Sequence, residues 1–130
     1  MANPNIVSVT SIFGESVGFN LTATTTTTLL TVSSNKLLKI NRITCANVDG
    51  ASAAELSLSI VKSNFTSAGV TNFDTSGTFF LAKTVSVPAD ATLVVLDTPI
   101  YLMEADVLKG GANAASDLDL VISYEVIDDA

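Results

Sequence analysis

The clearest pattern in this chain is an alternation of apolar and polar residues near its end. One set of apolar positions recurs at every second residue, and the residues between them are mostly polar: Leu118, Leu120, Ile122, Tyr124 and Val126. A period of two is what a strand with one face on a core requires. We therefore expect a half-buried strand here that forms an integral part of a sheet.

Other segments carry related patterns. Leu56, Leu58 and Ile60 alternate with polar residues and predict a second half-buried strand. The apolar run from residue 93 to 96 predicts a short strand buried on both faces. The segment from residue 36 to 48 is long for one strand, and its apolar face switches near Asn41, which predicts a β-bulge.

Such segments recur about every ten residues, with turn residues between them and no helical pattern of any length. This arrangement predicts an all-β fold, a single antiparallel β-sandwich of jelly-roll or immunoglobulin-like type, with a small barrel as the alternative. Residues 5–13 predict a first strand that ends at Gly14, and Gly110 and Gly111 read as a hairpin loop. Glu104 to Asp106 predicts a tight corner between two strands. We expect a single β-sandwich domain over residues 1–130, with a short extended arm at its N-terminus.

Composition limits the chemistry available. The chain has 130 residues, no histidine and one cysteine, Cys45, which reads as a small buried apolar residue. Without histidine the commonest general base and the preferred nitrogen ligand of zinc are missing. We expect no catalytic site, no metal site and no cofactor. A net charge of -7 repels phosphate groups and anionic lipids, so neither nucleic acid nor a membrane is expected as a partner.

Three segments are poorly explained by a self-contained monomer, and they are our candidate partner interface. The first is an arm with a proline, the second a run of five threonines that gives a strand no face to bury, and the third a long loop with apolar residues. The residues are Ala2, Asn3, Pro4, Asn5 and Ile6; Thr24, Thr25, Thr26, Thr27 and Thr28; and Phe65, Val70 and Phe73. The three loop residues either fold back onto the sandwich or insert into another subunit.

A carbohydrate-binding module is an alternative from another class, because lectin-like sandwiches share this size. Sugar platforms usually need exposed aromatic rings. Tryptophan is absent here, and one of the two tyrosines, Tyr124, lies on the core-facing side of its strand. The sequence therefore lacks the usual anchor for a sugar.

Several short sequence segments resemble small virion proteins of tailed phages that infect marine cyanobacteria. These segments follow in order over most of the chain, at residues 2–10, 39–50, 87–95, 100–106 and 117–125. The resemblance implies a structural protein of the virion. Its expected role is capsid decoration, as a cement protein that binds the outer shell in many copies, and the alternative is a component of the neck, tail or tail fibre. The implied partners are the major capsid protein or other virion proteins. A homo-oligomer is expected, and a trimer is favoured because it matches local threefold positions on an icosahedral shell.

Overall fold

The computed structural model describes residues 6–128, and over this range the chain forms strands, turns and loops. The strands are β1 (Ser11–Asn20), β2 (Thr28–Thr31), β3 (Lys36–Asn47), β4 (Ala54–Lys62), β5 (Gly77–Val87), β6 (Thr92–Leu96), β7 (Ile100–Leu102), β8 (Val107–Ala112) and β9 (Leu118–Asp128).

Two antiparallel sheets form the fold. The first has the order β1-β9-β3-β6, with β7 also paired to β3, and the second has the order β2-β8-β4-β5. The first strand pairs with the last, the second with the next to last, and so on inward to the β4–β5 hairpin. This order is that of one long hairpin wound around itself, which is the jelly roll. The predicted antiparallel β-sandwich is confirmed, and the strand order selects the jelly roll over the immunoglobulin-like arrangement.

The predicted strand near the end of the chain is β9, which lies between β1 and β3. Leu118, Leu120, Ile122 and Tyr124 are all buried, as the alternation predicts. The buried face of β4 supplies Leu56 and Leu58 from the other sheet. The core is thus a layer of aliphatic side chains between the sheets, and its burial is the main source of stability.

The long third strand contains the predicted bulge. The pairing of β3 with β9 shifts register between Ile40 and Arg42, so the backbone pairing skips Asn41, whose side-chain amide donates to Glu125 on β9. The shift lets Ile40 and Ile43 both point into the core, where each is fully buried. The corner at Glu104–Asp106 is also confirmed, since the amide of Asp106 donates to the carbonyl of Met103 between β7 and β8.

Three strand-level predictions were wrong. The first strand runs from Ser11 to Asn20 and does not end at Gly14, because pairing with β9 continues unbroken and the space around Gly14 is open. The short strand at Leu93–Leu96 is an edge strand, and its Val94 is 45% exposed, so it is not buried on both faces.

The two glycines at 110 and 111 lie inside β8 and do not form a hairpin loop. A Cβ at Gly110 would lie 2.8 Å from the carbonyl oxygen of Ser57, and one at Gly111 would lie 2.3 Å from the carbonyl oxygen of Thr24. Neighbouring backbone approaches β8 too closely for any side chain. These glycines permit close packing, which the sequence pattern does not distinguish from turning.

Apart from residues 97–99, which join β6 to β7 beside the middle of β3, the connections within residues 6–128 gather at two ends of the sandwich. One end carries loops 21–27, 48–53, 88–91 and 113–117, and we call it the threonine end. The other carries loops 32–35, 63–76 and 103–106 together with the start of β1, and we call it the phenylalanine end.

Candidate interaction surfaces

The threonine run forms a loop that leads into an edge strand. Residues 24–27 lie outside regular structure and Thr28 begins β2. The Thr27 hydroxyl donates to the Thr24 carbonyl over 2.8 Å, and the Gly110 amide donates to the Thr27 carbonyl over 3.0 Å. Thr24, Thr25 and Thr26 are exposed. The loop is therefore held by its backbone and presents hydroxyl and methyl groups to solvent.

Two aromatic side chains of loop 63–76 pack against each other. The rings of Phe65 and Phe73 lie 5.3 Å apart between centroids, and the Lys62 ammonium lies 5.0 Å from the centre of the Phe65 ring. Both phenylalanines are half-buried, whereas Val70 at the loop tip is 65% exposed. The two rings fold back onto each other, and Val70 remains available to a partner.

A buried carboxylate anchors the base of this loop. Asp106 is fully buried and accepts hydrogen bonds from the Lys62 ammonium, from the Ser63 amide over 2.9 Å and from the Met103 amide over 2.9 Å. The Lys62 ammonium also lies 3.1 Å from the Met103 sulfur. Lys62 ends β4 and Asp106 precedes β8, so this ion pair holds the start of loop 63–76 against the corner before β8.

The predicted interface segments are not brought together as a group. The threonine run lies at one end of the sandwich, whereas Phe65, Val70 and Phe73 lie at the other. Ala2, Asn3, Pro4 and Asn5 lie outside the described residues. Ile6, the last predicted arm residue, is 55% exposed and lies shortly before β1.

Two edge strands carry exposed apolar residues that the sequence reasoning did not select. Ile12 and Phe13 on β1 are 55% and 52% exposed. Phe80 on β5 is 52% exposed, and the Lys83 ammonium lies 5.0 Å from the centre of its ring. In sequence these residues look like ordinary core positions, and only the sheet order places them at edges.

A cleft of about 310 Å³ opens between the edge strands of the two sheets, β1 and β2. Its apolar lining residues come from both sheets: Phe13, Leu30, Val32, Leu37, Leu38, Tyr124 and Val126. Its charged lining residues are Glu15 and Lys36, and Lys36 is paired with Asp128 at 2.9 Å. The cleft is thus an apolar hollow with charged groups beside it.

Two groups near the core have shifted acidity. Burial raises the pKa of the Tyr124 hydroxyl, and its hydrogen bond to the Glu15 carboxylate raises it further. Burial, with a smaller contribution from the nearby Asp119, raises the pKa of the Cys45 thiol to about 11. Cys45 is fully buried and unpaired, as predicted, and its thiol stays protonated and unreactive at neutral pH.

Within residues 6–128 no group of three or more potential metal-binding side chains comes together. The same residues contain no helix long and apolar enough to cross a membrane.

No family model matches the chain, and no curated protein matches its sequence. Among solved structures, the chain is similar to a protein from a study of Bacillus endospore appendages described as disulfide-linked pili. The identity is 12%, 92% of this chain and 88% of the other are covered, and the TM-score is 0.45. It is also similar to a pentameric capsid protein from metagenomic phage sequences, with 18% identity, coverage of 87% and 64%, and a TM-score of 0.34. At these identities and TM-scores the likenesses do not assign a function to the chain.

Proposed function

We propose that this chain is a non-enzymatic structural protein of a phage virion. Its main role in this proposal is capsid decoration, in which many copies bind the outer shell as a cement protein. The observation that carries the proposal is a jelly roll whose exposed apolar residues lie on its edges and loop tips, at Phe13, Phe80 and Val70. These residues lie at separate places on the sandwich, and each is an apolar group that a bound neighbour would cover.

Two further features support the proposal. The sequence segments that resemble virion proteins of cyanobacterial phages fall on β3, β6, β7 and β9, which all belong to the first sheet. The jelly roll is also a common fold of viral capsid domains, although lectins and cupins share it, so this support is an analogy of fold alone.

The proposed contact with the particle uses the three segments found in the sequence. These are residues 2–6, the Thr24–Thr28 run and the loop that carries Phe65, Val70 and Phe73. Because two of them lie at opposite ends of the sandwich, one copy can bridge two neighbours in the shell. This bridging geometry is what a cement protein needs. The proposed homo-oligomer is a trimer, which would match local threefold positions of an icosahedral shell.

The alternative location is the neck, tail or tail fibre, which demands the same surface chemistry. A carbohydrate-binding module is a weaker alternative, because Tyr124 is buried and Tyr101 is left as the exposed tyrosine. Tryptophan is absent from the sequence.

The experiment is a binding assay on shells assembled without this chain. The purified wild-type chain is added, and bound protein is quantified after the shells are sedimented. We expect wild-type binding to saturate, and we expect it to fall at least about tenfold after deletion of residues 2–6 combined with Val70→Ser, which changes the exposed loop residue and leaves the packed Phe65 and Phe73 rings in place.

The control variant is Val94→Ser, which removes an exposed apolar residue from β6 outside the proposed contact. Circular dichroism and thermal unfolding of each variant separate loss of binding from loss of folding. Unchanged binding by the combined variant, or no binding by the wild-type chain, would overturn the proposal.

A further inference from the structure

The first strand is an unusually open edge. It pairs with β9 over all ten residues without a register shift, and its other side has no partner strand within residues 6–128. Proteins normally protect such edges with bulges, short strands, lysine or proline. The other edges of this sandwich have such features. The pairing of β5 contains two register shifts and that of β6 contains one, while β2 has four residues and β7 has three. β1 has no bulge, lysine or proline.

The sequence of β1 is nearly palindromic about its centre. Residues 13–19 read Phe-Gly-Glu-Ser-Val-Gly-Phe, with Ser16 in the middle. The geometry points to an antiparallel contact between β1 and β1 of a second copy of this chain, with Ser16 on the two-fold axis. A two-fold contact requires a surface that complements itself, and a palindromic strand provides one.

Within residues 13–19, this register opposes identical residue types across the axis at every pair except one. The opposed residues are Phe13 with Phe19, Gly14 with Gly18, Glu15 with Val17, and Ser16 with Ser16. Each pair lies on the same face of the joined sheet, because opposed residues in an antiparallel ladder share a face. Pairing from Ile12 to Asn20 adds about eight to ten backbone hydrogen bonds, depending on which alternate residues face the partner.

Two aromatic contacts form in this register. Phe13 is exposed and Phe19 is half-buried, and both lie on the same face of β1 because six residues separate them. Each Phe13 ring is therefore opposed to Phe19 of the other copy, and this contact occurs twice in the dimer.

Charge disfavours the adjacent register. A shift that places Glu15 on the axis would set the two Glu15 carboxylates directly opposite each other, and like charges so placed are destabilising. With Ser16 on the axis, Glu15 faces Val17 instead. Its carboxylate keeps the hydrogen bond from Tyr124 within its own copy.

Ser16 is the position at which to test this contact. Its side chain is exposed, and in the monomer its hydroxyl makes a long hydrogen bond of 3.4 Å to the hydroxyl of Ser123. Ser16→Lys and Ser16→Glu should therefore leave the fold intact, while each places two like charges opposite each other on the axis. The matched control is Ser86→Lys, at an exposed position on the opposite edge strand β5.

The molar mass of each protein is measured by light scattering over a dilution series. The proposed trimer needs a different surface, so trimers joined in pairs through β1 would form hexamers. We expect a wild-type dimer or hexamer, a dissociation constant of the β1 contact raised about tenfold or more by either Ser16 substitution, and no change with Ser86→Lys. An equimolar mixture of the Lys and Glu variants should restore the contact, because opposite charges then face each other. A wild-type monomer or trimer at all concentrations, or a dimer as insensitive to Ser16 as to Ser86, would overturn the inference.

Cross-linking tests the register independently. Ser16→Cys places two thiols opposite each other across the axis, and the native thiol of Cys45 is fully buried and does not compete. Mild oxidation should give a covalent dimer with Ser16→Cys and none with Ser86→Cys. Equal yields from the two variants would contradict the register. Ser16 and Ser86 lie outside the segments of the proposed shell contact. The test of the dimer is therefore independent of the test of shell binding, and either proposal can be refuted without the other.

Discussion

Removal of the Asp106 carboxylate should be among the most damaging single changes in this protein. Asp106 is fully buried, and the side chain of its partner Lys62 is 12% exposed. Asp106→Ala leaves the Lys62 ammonium unpaired in a nearly dry site and also leaves the amides of Ser63 and Met103 without their acceptor. Loss of one partner of a buried ion pair costs about 3–5 kcal/mol.

This cost translates into a large shift of thermal unfolding. For a domain of this size, 1 kcal/mol corresponds to about 4 °C in the melting temperature, so we expect Asp106→Ala to melt roughly 12–20 °C lower than wild type. Guanidinium unfolding should report the same loss as a lower midpoint with an unchanged slope.

A double-mutant cycle gives the sharper test. Lys62→Met keeps much of the apolar stem and removes the charge. Asp106→Asn removes the charge and keeps the shape, with an acceptor oxygen for one of the two backbone amides, since Ser63 and Met103 donate to different oxygens of Asp106. If the pair interacts as described, the double variant Lys62→Met with Asp106→Asn should lose less stability than the sum of the two single losses. Additive losses, or a cost below about 1 kcal/mol for Asp106→Ala, would refute the argument.

Three other predictions concern the packing around Gly111 and the burial of Cys45. Gly111→Ala should lower the melting temperature markedly, because its Cβ would lie 2.3 Å from the Thr24 carbonyl oxygen, whereas Gly14→Ala, in open space, should change it little; equal effects in thermal scans would contradict this account. The Cys45 thiol, with its pKa raised to about 11, should resist a thiol reagent at pH 8 in the folded protein and react after unfolding. Because the unfolded thiol ionises first, Cys45 should also reduce stability as pH rises from about 9 to 11, and Cys45→Ala should weaken that pH dependence in denaturant titrations. Rapid labelling of the native protein, or an identical pH profile for Cys45→Ala, would contradict the burial of this thiol.

The pattern of apolar and polar residues correctly predicted features that depend on the residues of a single strand. The alternation in β9 and the switch of face in β3 are properties of one strand and its own residues, so they could be read from the sequence. The order of strands depends on pairings between residues far apart in the chain, such as Phe19 with Leu120. In both jelly rolls and immunoglobulin-like sandwiches, apolar and polar residues alternate along the strands. The pattern therefore could not distinguish between these two folds.

The same limit explains the missed features. Phe13 and Val94 look like core residues in sequence, and they are exposed because no neighbouring strand covers that side of their edge strands. Asp106 lies in a corner where a carboxylate usually faces water, and its partner Lys62 is distant in sequence. For the interface, the threonine run and loop 63–76 were located as loops, but their separation at opposite ends follows only from the topology.

The most direct test of the proposed role is the copy number of this chain in purified phage particles, relative to the major shell protein. Quantitative mass spectrometry with labelled reference peptides provides the ratio. A cement protein predicts a ratio near one, which corresponds to hundreds of copies on the shell. A ratio of a few per cent would contradict decoration and favour the neck or tail, and absence of the chain from the particles would contradict the virion role altogether.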